Sequence, residues 1–450
     1  MSGMNKKHSV TLDVDKCKGC TTCLHNCPTK AIRVRNGKAV IIQDKCIDCG
    51  ECIRVCPNNA KAALTDTLED VQQYSVKVAL VPPSLMGQFS AECTVGEILS
   101  GILQIGFDYV YEAAYGAEIL GKIIPKELKK NPDKLFISSA CPTIVRLIQE
   151  EFPLLAENII QLKAPIHVTA EKIRQDFKAK GYSDEDIGIF FLTPCAAKAT
   201  EIFNEPNEKG KINGAVSVKD VVWELQKNKI ELTDNGDTIH SYDGIRWAVS
   251  GGESAKLDQR TALHVNGISN VIKVLEDIEN GKLRDIHFLE MLACVEGCVG
   301  GCLTVENPFV AKNRVLLKVQ ELKDSETQGV VTQEYAEALY ENGELSKGPF
   351  QATEAKPLDP DRAEALRKLN LIEEQFARLP GYDCGSCGAP GCRAHAEDIV
   401  MGHASEMDCI FMLKDAITKL SKDMLEVSQK VTPIMHSDET ENIGGDTKQS

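Results

Sequence analysis

Residues 17–28 read CKGCTTCLHNCP and residues 46–57 read CIDCGECIRVCP. One spacing, C-x2-C-x2-C-x3-C-P, therefore occurs twice near the start of the chain. Cysteine use on this scale, eighteen in 450 residues, limits what the chain can fold around. The opening stretch MSGMNKKHSVTLDVDKC has no apolar core segment and no twin arginine, so no export signal is visible and a cytoplasmic location is expected. In that reducing compartment the cysteines read as metal ligands rather than disulfides.

Both runs are similar to the bacterial two-cluster ferredoxin pattern, in which the fourth cysteine of each run crosses to the other cluster. The resemblance implies one 4Fe-4S cubane on Cys17, Cys20, Cys23 and Cys56, and a second on Cys46, Cys49, Cys52 and Cys27. Tight turns between such ligands aim backbone N–H groups at the sulfurs. Structural zinc is the alternative use of these thiols. Between the runs, AIRVRNGKAVIIQ alternates like a hairpin turning at Asn36-Gly37, which completes a compact module over residues 1–75.

Near the other end, Cys384, Cys387, Cys392 and Cys409 follow C-x2-C-x4-C-x16-C. With Leu379-Pro380-Gly381 and Gly391, this resembles the small 4Fe-4S domain of corrinoid iron–sulfur proteins; zinc on four thiolates remains open. The domain is expected over 381–411, after a linker (351–380) whose helix runs from Asp361 to Leu379. Leu366, Leu369, Ile372, Phe376 and Leu379 recur at helical spacing, and Pro360 fits the first helical position. Beyond Cys409, the residues Ile410, Leu413, Ile417, Leu420, Met424, Val427 and Val431 alternate steps of three and four until Pro433. That rhythm suits a coiled-coil-like helix over 412–432, serving as a dimer or output element, or a helix packed on its own domain. Residues 433–450 read as a disordered end.

Five of the remaining cysteines lie in three separated places: ISSACPTIV with Cys141, LTPCAAKATE with Cys195, and LEMLACVEGCVGGC with Cys294, Cys298 and Cys302. In this order the three motifs resemble those of the iron-only (FeFe) hydrogenases, and a domain over 76–350 is assigned to that family. The resemblance implies that Cys141, Cys195, Cys294 and Cys298 hold the cubane of an H-cluster. It places Cys298 as the bridge to a two-iron subcluster carrying CO, cyanide and azadithiolate, where H2 is split or formed. Lys198 matches the lysine that hydrogen-bonds a cyanide, Glu201 closes the second motif, and Gly251-Gly252 matches a glycine-rich turn. Cys302 stands where catalytic members carry glycine, as an unligated thiol or a functional substitution. Cys93 reads as a small buried hydrophobe.

Several positions depart from the catalytic pattern. Ala140 replaces the free cysteine that relays protons in those members; a thiol near its usual pKa of about 8.5 exchanges a proton and a methyl group does not. Thr193 and Leu292 replace methionines, and His167 stands near a frequent glutamine. Ile123 and Ile124 occupy the region of the relay's paired glutamates, and Glu127 is a candidate survivor of that path. A lone cysteine in the first motif resembles the sensory hydrogenases.

The expected architecture is multidomain α/β and α+β: a ferredoxin-like dicluster module, an H-cluster domain, and a small 4Fe-4S domain with a trailing helix. The expected activity is slow, reversible conversion of H2 to protons and electrons by an H2:acceptor oxidoreductase, with three accessory 4Fe-4S clusters. The partner is a ferredoxin or a signalling kinase or phosphatase. A fully catalytic enzyme with another proton path, and an electron-transfer or scaffold protein with a bare cubane, are the alternatives. A net charge of −15 argues against nucleic acid as a partner, and no run of ~18 apolar residues offers a membrane span.

Overall fold

A computed structural model describes residues 8–204, 210–228, 230, 232, 240–324, 330–354 and 357–430. It divides into two compact units, residues 1–356 and 357–450. The fold is mixed α/β, with a ferredoxin-like module at the start of the first unit.

In that module Val10–Leu12 pairs antiparallel with Lys61–Ala63, and Ile32–Arg35 with Lys38–Ile41. Register partners Arg35 and Lys38 leave Asn36 and Gly37 as a two-residue turn, both with positive φ (50° and 71°). Asparagine and glycine tolerate that left-handed pair, and its twist matches the flanking strands. The hairpin expected from the sequence is present.

The rest of the first unit is built on two parallel sheets. One has the order Tyr109–Glu112, Val76–Val81, Ile187–Thr193, Gly214–Ser217. The other has Ala262–Asn266, Phe288–Leu292, Phe136–Ile137. Strands Ile187–Thr193 and Phe288–Leu292 are buried along their whole length, as expected where helices cover both faces of a parallel sheet. The packing helices include Ala114–Lys130, Pro142–Glu151, Pro165–Ala179 and Ala196–Asn204. Ile123 and Ile124 lie in the first of these, inside an apolar cluster with Phe136, Ile160 and Phe288. Glu127, one turn on, accepts a hydrogen bond from Tyr340 and faces Lys130.

The ferredoxin-like module is anchored on the site-bearing helices. Buried Asp48 accepts from His8 Nδ1 (2.7 Å) and pairs with Arg146 of Pro142–Glu151. Ser9 donates its N–H to Thr200 Oγ1 (2.9 Å) and its hydroxyl to the Ala196 carbonyl (2.7 Å), both on Ala196–Asn204.

The second unit contains helices Arg362–Arg378, Cys392–Val400 and Ile410–Gln429. Pro360 is not the first helical residue: Asp361 caps the helix, its carboxylate accepting from the N–H groups of Ala363 and Glu364, and Arg362 begins it. An acidic cap beats proline here because it satisfies two of the open donors at the helix start. Of the apolar stripe expected on this helix, Ile372 is buried while Leu366 and Leu369 stay exposed. Helix Ile410–Gln429 begins immediately after Cys409 and buries none of its residues. Val431, Pro433 and the tail expected to be disordered lie outside the described residues. Among the described residues, no helix is long and apolar enough to cross a membrane.

Candidate active site

Three loops carrying thiols leave the carboxyl ends of parallel strands, where open α/β sheets place their ligand sites. Ile187–Thr193 runs into Pro194-Cys195, Phe288–Leu292 into Ala293-Cys294, and Phe136–Ile137 into the loop to Cys141. Cys141 caps helix Pro142–Glu151, with Pro142 at its first position, and Cys195 directly precedes helix Ala196–Asn204. Both thiols thus sit at helix N-termini, whose positive ends favour an anion. Cys298 begins a short 3-10 turn reached through Glu296 and Gly297, both at positive φ.

These loops bring Cys141, Cys195, Cys294 and Cys298 close enough for their charges to interact, and Cys302 joins them. Burial raises Cys195, Cys294, Cys298 and Cys302, with Cys294 pushed up to about 12, and neighbouring thiolates add to the effect. Five partly buried thiols, close enough to oppose one another's ionisation, form a donor set that a cationic cluster would relieve. The chemistry of the donors therefore fits a thiolate-bound iron–sulfur group.

Cys302, besides facing the central thiols, packs against the ferredoxin-like module. A Cβ placed on Gly50 would fall 2.3 Å from its sulfur, and Gly50 itself has φ +74°. Only glycine therefore satisfies both the backbone and the space at position 50. Cys93 packs, half-buried, against the core of the four-stranded sheet.

Two polar networks flank the central thiols. On one side Lys198 Nζ donates to Glu201 Oε2 at 2.6 Å, and Glu201 Oε1 faces His167 Nε2 (3.4 Å) and Lys347 Nζ (3.5 Å). Lys198 and Glu201 are three residues apart on one helix, so they share a face. Burial opposes the charge on Glu201, but Lys198, His167 and Lys347 outweigh it and hold the carboxyl well below its ordinary range. Likewise, burial would lower Lys198, yet Glu201 and the nearby thiolates of Cys195 and Cys141 keep it raised.

On the other side, Ser138 Oγ donates to Glu253 Oε2 at 2.6 Å and accepts the Ala140 N–H at 3.2 Å. Glu253 lies beside Glu290, whose oxygens accept from Gly251 N, Ser254 N and Ser254 Oγ, each at 2.8 Å. The two carboxyls are 8% and 1% exposed. Burial and the adjacent Glu290 push Glu253 up to about 8. The glycine turn at 251–252 serves this network: Gly251 has φ +82° and supplies one of the N–H groups.

The substituted positions have local explanations. Thr193 Oγ1 accepts the Cys195 N–H (3.2 Å) and donates to the Cys195 carbonyl (2.8 Å), pinning the turn before the helix. Leu292 is a buried strand-end residue. Neither Ser138, Glu253 nor Glu290 was singled out from the sequence, although Glu290 lies in the third motif and Glu253 follows the glycine pair.

The accessory thiols gather in three further sets. Cys17, Cys20, Cys23 and Cys56 line one hollow of the N-terminal module, and Cys27, Cys46, Cys49 and Cys52 line another. Backbone N–H groups of Ala39, Ala60 and Ala31 donate to the sulfurs of Cys17 (3.4 Å), Cys56 (3.2 Å) and Cys27 (3.2 Å). In the second unit Cys384, Cys387 and Cys409 interact electrostatically, while Cys392 and Cys409 share a small apolar cluster with Ile372 and Leu379.

Residues 75–253 and 237–302, together just over half of the chain, match the family described as iron only hydrogenase large subunit, C-terminal domain. Residues 9–57 match a 4Fe-4S dicluster domain, and 379–411 a family described by an Fe-S cluster. Iron hydrogenase 1 of Clostridium pasteurianum is 23% identical over 257 residues, 46% of this chain and 45% of that protein. The periplasmic Fe hydrogenase large subunit of Nitratidesulfovibrio vulgaris is 24% identical over 365 residues, covering 66% and 86%. A probable cytosolic Fe-S cluster assembly factor of Drosophila persimilis is 20% identical over 363 residues, covering 67% and 73%. A solved FeFe-hydrogenase variant from Chlamydomonas reinhardtii aligns with 64% of this chain and 96% of its own, at 14% identity and a TM-score of 0.49.

Proposed function

Because the chain belongs to the iron-only hydrogenase large-subunit family, we propose that it is a sensory hydrogenase, binding H2 and converting it slowly and reversibly to protons and electrons. The observation carrying this reading is the pairing of a complete central thiol set with a methyl group, Ala140, where a proton carrier would stand.

Cys141, Cys195, Cys294 and Cys298 would hold the cubane, with Cys298 shared by a two-iron subcluster. When bound, that subcluster supplies the open iron position and basic amine at which H2 is cleaved. The remaining work falls to the chain's own side chains. Lys198, held charged by Glu201, offers an ammonium to an anionic ligand such as cyanide. Ala140 cannot carry a proton, and Ile123 and Ile124 are sealed in an apolar cluster rather than continuing a path outward. Proton exit is therefore slow, while electrons leave through the accessory thiol sets to a ferredoxin or a signalling kinase or phosphatase in the cytoplasm.

Helix Ile410–Gln429 supports the output role. Ile410, Leu413, Ile417, Leu420, Met424 and Val427 keep the three–four rhythm on a helix with no buried residue. Isoleucine and methionine at one repeat position, and leucine or valine at the other, suit pairing with a second copy. Removing residues 412–450 should turn a dimer into a monomer by light scattering; an unchanged mass would refute the pairing.

A second reading is favoured by the Drosophila assembly-factor relative: the central thiols hold a bare cubane and the protein transfers electrons or scaffolds cluster assembly. Turnover of H2 with a viologen dye separates the cases. The sensory reading predicts low but measurable turnover in maturated protein; a bare cubane gives none, and high turnover would return the reading to a fully catalytic enzyme.

A further inference from the structure

The second cysteine run sends one side chain across to the central site. Arg54 is the last residue of the short helix Glu51–Arg54, two positions beyond Cys52. Its Nη1 donates to the Gly300 carbonyl at 2.6 Å and its Nη2 to the Cys294 sulfur at 3.7 Å, while Nε holds Glu51 Oε2 at 3.2 Å. The side chain is 28% exposed. One guanidinium, carried on the helix that contains Cys52 of the ferredoxin-like module, therefore reaches the Cys294 sulfur of the central loops. The helix that carries Arg54 starts at Gly50, which packs against Cys302 of the central loops.

We propose that Arg54 is a positioning residue that raises the reduction potential of the central cluster and couples it to the adjacent ferredoxin-type cluster. Reduction adds negative charge to a cluster and to its sulfurs. A fixed positive charge donating an N–H···S bond stabilises that reduced state, so it raises the potential of whichever cluster it touches. Arg54 contacts a sulfur of the central set directly, so that cluster should respond most. The planar fork also matters: only a guanidinium can reach the Gly300 carbonyl, the Cys294 sulfur and Glu51 together, so lysine can supply charge without the geometry. Glu51 acts with opposite sign, since its carboxylate offsets part of the charge presented to the sulfur.

The inference rests on Cys294 being a cluster ligand and needs no two-iron subcluster. It can be tested on full-length protein carrying its 4Fe-4S clusters without maturation, by redox titration followed by electron paramagnetic resonance. The signal lost in Cys195→Ser identifies the central cluster. Arg54→Gln should move that cluster's midpoint to more negative potential and move the other clusters less. Arg54→Lys should give a smaller shift of the same sign, and Glu51→Gln a shift to more positive potential. If Arg54→Gln does not assemble its clusters, the Arg54→Lys and Glu51→Gln pair decides the matter by their opposite signs. An unmoved central midpoint, or an equal shift of every cluster, would overturn the proposal. Neither result bears on H2 chemistry, so the hydrogenase reading stands or falls separately.

Discussion

The two polar networks beside the central thiols use the same residue type in opposite ways. Glu201 is a buried carboxylate held ionised by Lys198, His167 and Lys347; Glu253 is a buried carboxyl held protonated by its burial and by Glu290. The first network fixes charge and can only present it. The second keeps a proton within one hydroxyl of the Ala140 backbone, at Ser138. One network therefore presents a fixed charge beside the thiols, and the other holds a titratable proton next to them.

One substitution made on both sides breaks or sharpens this comparison. Glu201→Gln leaves the Lys198 ammonium buried without its partner and should cost about 3 kcal/mol at pH 7, the scale for breaking a buried ion pair. Chemical denaturation of the cluster-loaded protein checks it, and a loss below about 1 kcal/mol would mean that the pair is not held as described. Next in size is Ala140→Cys. A positioned proton carrier contributes on the order of a hundredfold, or about 2.7 kcal/mol of barrier. Dye-linked turnover should rise by about that factor; no change would place the limit at Thr193, Leu292 or the Ile123–Ile124 stretch.

The pH dependences should have opposite signs. Glu201 has a lowered carboxyl, so its stabilisation is present above the unfolded value of about 4.3 and is lost as pH falls toward its folded value. Glu253 has a raised one: between about 4.3 and about 8 the folded state binds the extra proton, so stability falls as pH rises through that window. The Glu253 contribution is at most about 1.4 kcal/mol per pH unit, and Glu253→Gln should flatten it. Denaturation curves of the two proteins at pH 6, 7 and 8 check this, and parallel curves would contradict the assignment. At pH 6 the same variant should cost under about 1 kcal/mol, because an amide replaces an acid that is already neutral. Smallest of all, His167→Gln should cost about 0.5 kcal/mol or less, its contact with Glu201 being long. A cost above about 2 kcal/mol would make His167 a principal partner of that carboxylate.

The difference between these networks also separates what could be read in the sequence. Lys198 and Glu201 lie in one motif at helical spacing, and the hairpin at Asn36-Gly37 is a local turn signal; both are short-range facts. The class of the fold followed from the families that the cysteine motifs resemble, not from periodicity along the chain. Ser138 and Glu253 are 115 residues apart, and Arg54 and Cys294 are 240 apart. Contacts of that kind exist only once distant strands share a sheet and a separate module is seated on the central domain, so no spacing announces them. Pro360 was misplaced for a related reason: both proline and aspartate suit a helix start, and only the cap geometry decides between them.

Infrared spectroscopy of protein maturated with the two-iron subcluster tests the central claim most directly. A hydrogenase site held by Cys298 must show bands of iron-bound carbon monoxide and cyanide, and the Cys298→Ser variant must lose or displace them. Complete absence of those bands in fully maturated wild-type protein, with its 4Fe-4S clusters intact, would contradict the account and leave the bare-cubane reading in its place.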